Sequence, residues 1–121
     1  MIEEQYVSVE TAKLAKEKGF NELCNSDYCK GLINYPHADN EYTNSQISED
    51  GRISRPTQSL LARWLRENNR ISVEYYFEKT SMDWFIAIVM MDEVCHTIYL
   101  SGFNTCEEAI EAGLKEALKI I

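Results

Sequence analysis

Ile71, Val73, Tyr75 and Phe77 alternate with Ser72, Glu74, Tyr76 and Glu78, and this run constrains the fold more than any other feature of the chain. A period of two sends the first set to one side of a pleated strand and the second set to the other. Residues 84–91 are apolar at every position, the pattern of a central strand or one covered on both faces. The stretch 79–83 connects these strands, Asp92-Glu93 turns the chain, and residues 94–100 return. A three-stranded antiparallel meander is therefore predicted, with Gly102 breaking the third strand.

The segment that follows is equally specific. Thr105-Cys106-Glu107-Glu108 has the spacing of a capping box, in which cap and third residue satisfy each other's backbone donors. Ala109, Ile110, Gly113, Leu114, Ala117, Leu118 and Ile121 then form a broad helical stripe, predicting a helix over about 105–120. Glu111 and Lys115 make a favourably oriented i,i+4 pair. Gly113 on the apolar side costs ~1 kcal/mol of helix propensity relative to alanine. Its presence there predicts a close approach of the helix to the sheet.

Upstream, Ser8 is placed to cap a helix over about 9–18 that Gly19 ends, with Phe20 packing back beyond it. Pro56 or Thr57 starts another helix, over about 57–68. Leu60, Leu61, Trp64 and Leu65 form its apolar face and Asn68-Asn69 its exit. Residues 21–55 are rich in Asn, Ser, Asp, Tyr and Gly, with a strand candidate at 30–35. A loop of Glu49-Asp50-Gly51 with a left-handed Gly51 would make a short hairpin and set Ile47 opposite Ile53. The fold class is thus α+β, a single domain over 1–121, with the meander packed against three helices and a loop-rich 21–55 segment.

Charge sorts into blocks. Residues 1–51 carry four Lys against ten Asp or Glu, and residues 71–121 carry three Lys against nine. Residues 52–70 hold five Arg against one Glu, within a chain of net charge −8. Such a balance disfavours general nucleic-acid binding. The N-terminal residues lack the basic and apolar regions of a secretory signal, and no apolar run approaches membrane-spanning length. A cytoplasmic setting with free thiols is expected for Cys24, Cys29, Cys95 and Cys106, whose spacings match no common zinc pattern.

Two polar or aromatic sets stand out. Arg52, Arg55, Arg63, Arg66 and Arg70 form a candidate surface for an anion or an acidic partner, because guanidinium groups make forked bonds to oxyanions. Arg63, Arg66 and Arg70 share a helical face at i, i+3 and i+7. The competing reading makes them the solvated side of an amphipathic helix. Tyr28, Tyr35 and Tyr42, spaced by seven, together with Tyr76 and Trp84, form a candidate aromatic surface. Ordinary half-buried packing competes with that reading, although Tyr75 and Tyr76 must face opposite ways. Cys106, in the first turn of a helix, is the thiol best placed for a lowered pKa. His96 lies beside Cys95, and strand alternation would separate the two. Motifs for a catalytic pair, a phosphate loop, a metal or a cofactor are lacking.

The segments Tyr6-Val7-Ser8-Val9-Glu10-Thr11-Ala12-Lys13-Leu14, Glu17-Lys18-Gly19-Phe20, Pro56-Thr57-Gln58-Ser59-Leu60-Leu61 and Trp64-Leu65-Arg66-Glu67 resemble a family of small proteins. With the helix from Glu107-Glu108-Ala109 to Leu118, the likeness covers most of the chain. The family occurs in gut Bacteroidales and their phages or mobile elements, and no activity or binding residues are established for it. The resemblance implies a cytoplasmic setting and a phage or mobile-element role. The leading expectation is a non-catalytic accessory protein acting through a protein partner or as a homodimer, with no membrane association. Anion or nucleic-acid binding through Arg63, Arg66 and Arg70 is the alternative, and a small enzyme using Cys106 or His96 is the third.

Overall fold

The computed structural model describes residues 3–34, 40–48, 51–92 and 94–121. The chain divides into two units, Met1–Thr57 and Gln58–Ile121. Each holds a three-stranded antiparallel sheet with helices packed on it, so the α+β class is as expected.

In the first unit, helix α1 (Val9–Glu17) begins at Ser8, whose Oγ accepts the Thr11 amide at 3.3 Å. It ends where Gly19 turns left-handed at φ 93. There the Phe20 amide donates to the Ala15 carbonyl at 2.9 Å and the Gly19 amide to that of Lys16 at 3.1 Å. This reversal satisfies carbonyls that the helix leaves open and needs a residue without a Cβ penalty. Strands β1 (Asp27–Cys29) and β2 (Leu32–Asn34) form a hairpin across Lys30-Gly31. Both turn residues have positive φ, 54 and 79, as a two-residue type I′ turn demands.

The region 21–55 does hold a short hairpin, but not the one expected. Ile47 ends a one-turn helix, α2 (Asn44–Ile47), and Ile53, in strand β3 (Arg52–Ser54), pairs with Tyr28 of β1. The sheet order is β2-β1-β3. Gly51 is left-handed at φ 70, as the loop reading required, while Glu49 and Asp50 lie outside the described residues. Asn44 explains the difference. Its Nδ2 donates to the Phe20 carbonyl and its Oδ1 accepts the Ser54 amide, both at 2.8 Å. One buried amide thereby joins the exit of α1 to β3 and holds the α2 turn in place.

In the second unit, helix α3 (Gln58–Asn69) starts just after the expected point. The Pro56 carbonyl accepts the Val7 amide at 3.0 Å and Thr57 bridges to Tyr6, so both remain in extended chain of the first unit. Strands β4 (Ile71–Glu78), β5 (Asp83–Met90) and β6 (Thr97–Phe103) make the meander, in the order β4-β5-β6. Gly102 does not break β6. Leu100 pairs with Ile86 and Phe103 with Trp84, leaving Ser101-Gly102 opposite Phe85 alone. With φ at 90, Gly102 absorbs that extra residue as a bulge. Helix α4 (Cys106–Lys119) is capped by Thr105, whose Oγ1 accepts the Glu108 amide at 3.1 Å.

Helix α4 lies against the side of the sheet that holds Val73 and Ile86, and Gly113 marks the point of closest approach. A Cβ built there would stand 2.5 Å from Ile86 Cγ1 and 2.8 Å from Val73 Cγ1. Ile71, Val73, Ile86 and Ile88 are buried with Leu114, Leu118, Ala109 and Ala117. Helix α3 packs on α4, with Gln58 Nε2 donating to the Glu107 carbonyl at 3.0 Å. Both helices of this unit therefore occupy one side of its sheet.

Candidate binding surface

The other side of the meander carries Ser72, Glu74, Tyr76 and Glu78 from β4. Strand register adds Asp83, Phe85, Ala87 and Val89 from β5 and Thr97 and Tyr99 from β6. The Tyr76 and Phe85 rings lie 5.3 Å apart, tilted by 30°, which confirms the shared face. Among the described residues, no helix of this unit lies over it. Tyr76 remains 42% exposed and Tyr99 64%. Ala87, between them in the centre of the sheet, is nonetheless buried. From Trp84 onward the strand is apolar on both sides: one side meets α4, and the other sets Phe85, Ala87 and Val89 beside Tyr76 and Tyr99.

A second group of rings stands on the helix-bearing side, at the far end of the β4–β5 hairpin. Trp84 lies 6.3 Å from Tyr75 and 5.4 Å from Phe77, the latter edge-on. Tyr75 and Phe77 are largely exposed. Tyr76 and Trp84 belong to one hairpin but point to opposite faces, while Tyr28 and Tyr42 belong to the first unit and Tyr35 lies outside the described residues. Tyr28 is buried and donates its hydroxyl to the Val7 carbonyl at 2.6 Å. Periodicity alone puts Glu74 and Glu78 beside Tyr76. Phe85, Asp83 and Tyr99 join them only through strand register, which residue spacing does not supply.

The candidate arginines belong to both units. In the first unit, Arg55 stacks over Tyr6 at 4.0 Å and Tyr28 at 5.5 Å, and its Nη1 donates to Ser26 Oγ at 3.2 Å. Its Nε is buried without a hydrogen-bond partner, so π faces supply much of its hold. Arg52 Nη1 lies 3.4 Å from Oδ2 of the buried Asp27, and its guanidinium stands 5.9 Å from the Tyr42 ring. Asp27 Oδ1 also accepts Asn34 Nδ2 at 2.6 Å. Both arginines thus pin the β2-β1-β3 sheet.

In the second unit, Arg63 pairs with Glu67 at 2.9 Å and Arg66 is exposed. Arg70 lies past the end of α3 with φ at 54, so it does not extend the helical face. Its Nε donates to the Met91 carbonyl at 3.1 Å.

Cys95 and His96 precede β6 rather than alternate within it, and both are exposed. Asp92 gathers this turn. Its Oδ1 accepts the Val94 and Cys95 amides at 3.1 and 2.6 Å, and His96 Nδ1 lies 3.4 Å from its Oδ2. Desolvation works to raise the Asp92 pKa, but these donors together hold it below the ordinary value. The Cys106 thiol behaves contrary to the helix-terminus expectation. Partial burial, and then the Glu107 carboxylate, push its pKa up, away from a reactive thiolate. Burial pushes Cys24 up to about 12. All four cysteines are free thiols.

Among the described residues, no three His, Cys, Asp or Glu side chains are grouped to hold a metal ion. No helix among them is long and apolar enough to cross a membrane. No protein-family model, curated protein or solved structure matches this chain. Its functional reading therefore rests on its own surfaces.

Proposed function

We propose that this is a non-catalytic accessory protein that works by holding a protein partner on the open face of its meander. The carrying observation is that β5, apolar from Trp84 to Met90, meets helix α4 on one side only. Its other side presents Tyr76, Phe85 and Tyr99. Exposed rings on a rigid sheet are characteristic of interaction surfaces, since they offer large contact area at a small entropic cost. The raised pKa of the Cys106 thiol and the turn-forming role of Asp92 fit a scaffold better than a reaction centre. A cytoplasmic setting and a phage or mobile-element origin belong to the same reading, on the strength of the family resemblance.

Site-specific photo-crosslinking tests the proposal. A benzoylphenylalanine at Tyr99 is compared with one at Glu17, an exposed position of α1 in the other unit. The expected result is a discrete adduct from position 99 that position 17 does not give. Identical patterns from both positions, or no adduct from 99, would remove the basis for the reading.

A further inference from the structure

We infer that the partner segment received by this face is cationic, presenting arginine or lysine side chains to the rings and carboxylates of the sheet. The inference rests on the proposed binding role and adds the chemistry of the occupant. Three carboxylates, Glu74, Glu78 and Asp83, share the face with Tyr76, Phe85 and Tyr99. No strand residue on this face is Lys or Arg, and Lys79 lies beyond it in the turn. Glu74 and Glu78 flank Tyr76 two positions away on either side, about 7 Å along the strand in each direction. A guanidinium stacked on the Tyr76 ring can therefore make a forked bond to a carboxylate on one side without leaving the ring.

The Tyr76 ring rests against its cross-strand neighbour Phe85 at 5.3 Å and still keeps 42% of its surface exposed for a partner. The strand arrangement thus combines the two groups that attract a cation most strongly and omits the one that repels it. A second copy of the chain fits this surface poorly. Two such faces in contact would bring six carboxylates, three from each copy, into one interface between chains of net charge −8. A nucleic-acid backbone meets the same repulsion.

The test is a titration of the full chain, followed through its backbone amide NMR signals, with an eight-residue peptide alternating Arg and Ser. Matched peptides carrying Lys or Glu in place of Arg are titrated in parallel. Shifts should gather at 72–78, 85–89 and 97–99 with the Arg peptide, be weaker with Lys, and be absent with Glu. Combining Glu74→Gln with Glu78→Gln should weaken Arg-peptide binding about tenfold, the scale of two partly exposed charge contacts. Glu78 Oε1 accepts the Thr80 amide at 3.1 Å, a bond that Gln can keep, so an amide spectrum altered only around positions 74 and 78 would establish that the variant is folded.

Absence of shifts at millimolar peptide, or shifts that centre on Glu107 and Glu108 of α4 and ignore the Gln changes, would overturn the inference. Sedimentation separates it from the underlying role. If the chain dimerises and Tyr76→Ser with Tyr99→Ser restores the monomer, the surface binds a second copy, and the cationic occupant is wrong while the binding role stands. Failure of the Arg peptide together with failure of crosslinking at position 99 removes both.

Discussion

Replacing Gly113 with alanine sets two well-understood effects against each other. In a helix interior the change should stabilise, because alanine loses less backbone freedom, by about 1 kcal/mol. At this position the added methyl carbon would meet Ile86 Cγ1 at 2.5 Å, Val73 Cγ1 at 2.8 Å and Ile86 Cδ1 at 3.2 Å. Comfortable carbon–carbon contact begins at ~3.5 Å, so roughly an ångström of space must be opened. Neither neighbour yields easily. Both are β-branched with restricted χ1, both are buried, and the offending atoms sit directly beyond Cβ rather than at a flexible end.

Overpacking of this kind costs ~1–3 kcal/mol, and two stiff contacts put it towards the upper end. The net expectation for Gly113→Ala is a loss of about 2 kcal/mol. Urea unfolding followed by circular dichroism would read this as a lower midpoint at an unchanged slope. Ile86→Ala supplies the second arm by removing Cγ1 and Cδ1. In that background the cost of Gly113→Ala should shrink by at least ~1 kcal/mol, because the new methyl enters vacated space. Stabilisation by the full propensity gain in the parent, or the same cost in both backgrounds, would refute the claim that α4 is seated through this glycine.

Asn44→Ala should cost about 2–4 kcal/mol, because it strands the Phe20 carbonyl and the Ser54 amide in the first unit's interior. A loss under ~0.5 kcal/mol in chemical denaturation would show that water replaces the side chain. Cys24 should resist thiol reagents at pH 8 until the chain unfolds, while the exposed Cys95 reacts in the folded state. The Cys24 thiol has a folded pKa of about 12 against an ordinary 9.0, so the unfolded chain loses its proton first. The associated stability is intact below pH 9.0 and falls as pH rises towards 12, by up to ~1.4 kcal/mol per unit. Cys24→Ala should remove that part of the alkaline slope, and an unchanged slope would contradict the burial.

The second unit was readable because its interior is apolar. The alternation at 71–78, the unbroken run in β5 and the stripe along α4 each report a buried side, and the structure follows them to within a residue or two. Even the odd glycine at 113 carried a readable meaning. The Gly102 reading failed for a local reason. A glycine after a strand pattern can end the strand or admit a bulge, and only pairing with Trp84 and Ile86 decides between them.

In residues 21–55 the signal itself is different. Ser26, Asp27, Asn44 and Ser54 are all buried there, in positions that hydrophobic periodicity assigns to loops. Their burial is sustained by partners distant in sequence, as when Asp27 meets Asn34 and Arg52 or Asn44 spans Phe20 and Ser54. A polar interior has no period to detect, because each residue is placed by one specific donor or acceptor. The same reasoning sorts the arginines. Arg52 and Arg55 look in the sequence like the start of a basic surface, yet the first lies against a buried carboxylate and the second over the Tyr6 ring, with Tyr28 nearby. Charge counted along the chain therefore does not reveal that Arg52 and Arg55 are engaged within the first unit, whereas alternation along β4 already sets Glu74 and Glu78 beside Tyr76. The open face was half legible for that reason: the residues of one strand could be read, and the rings and carboxylate supplied by its neighbours awaited the register.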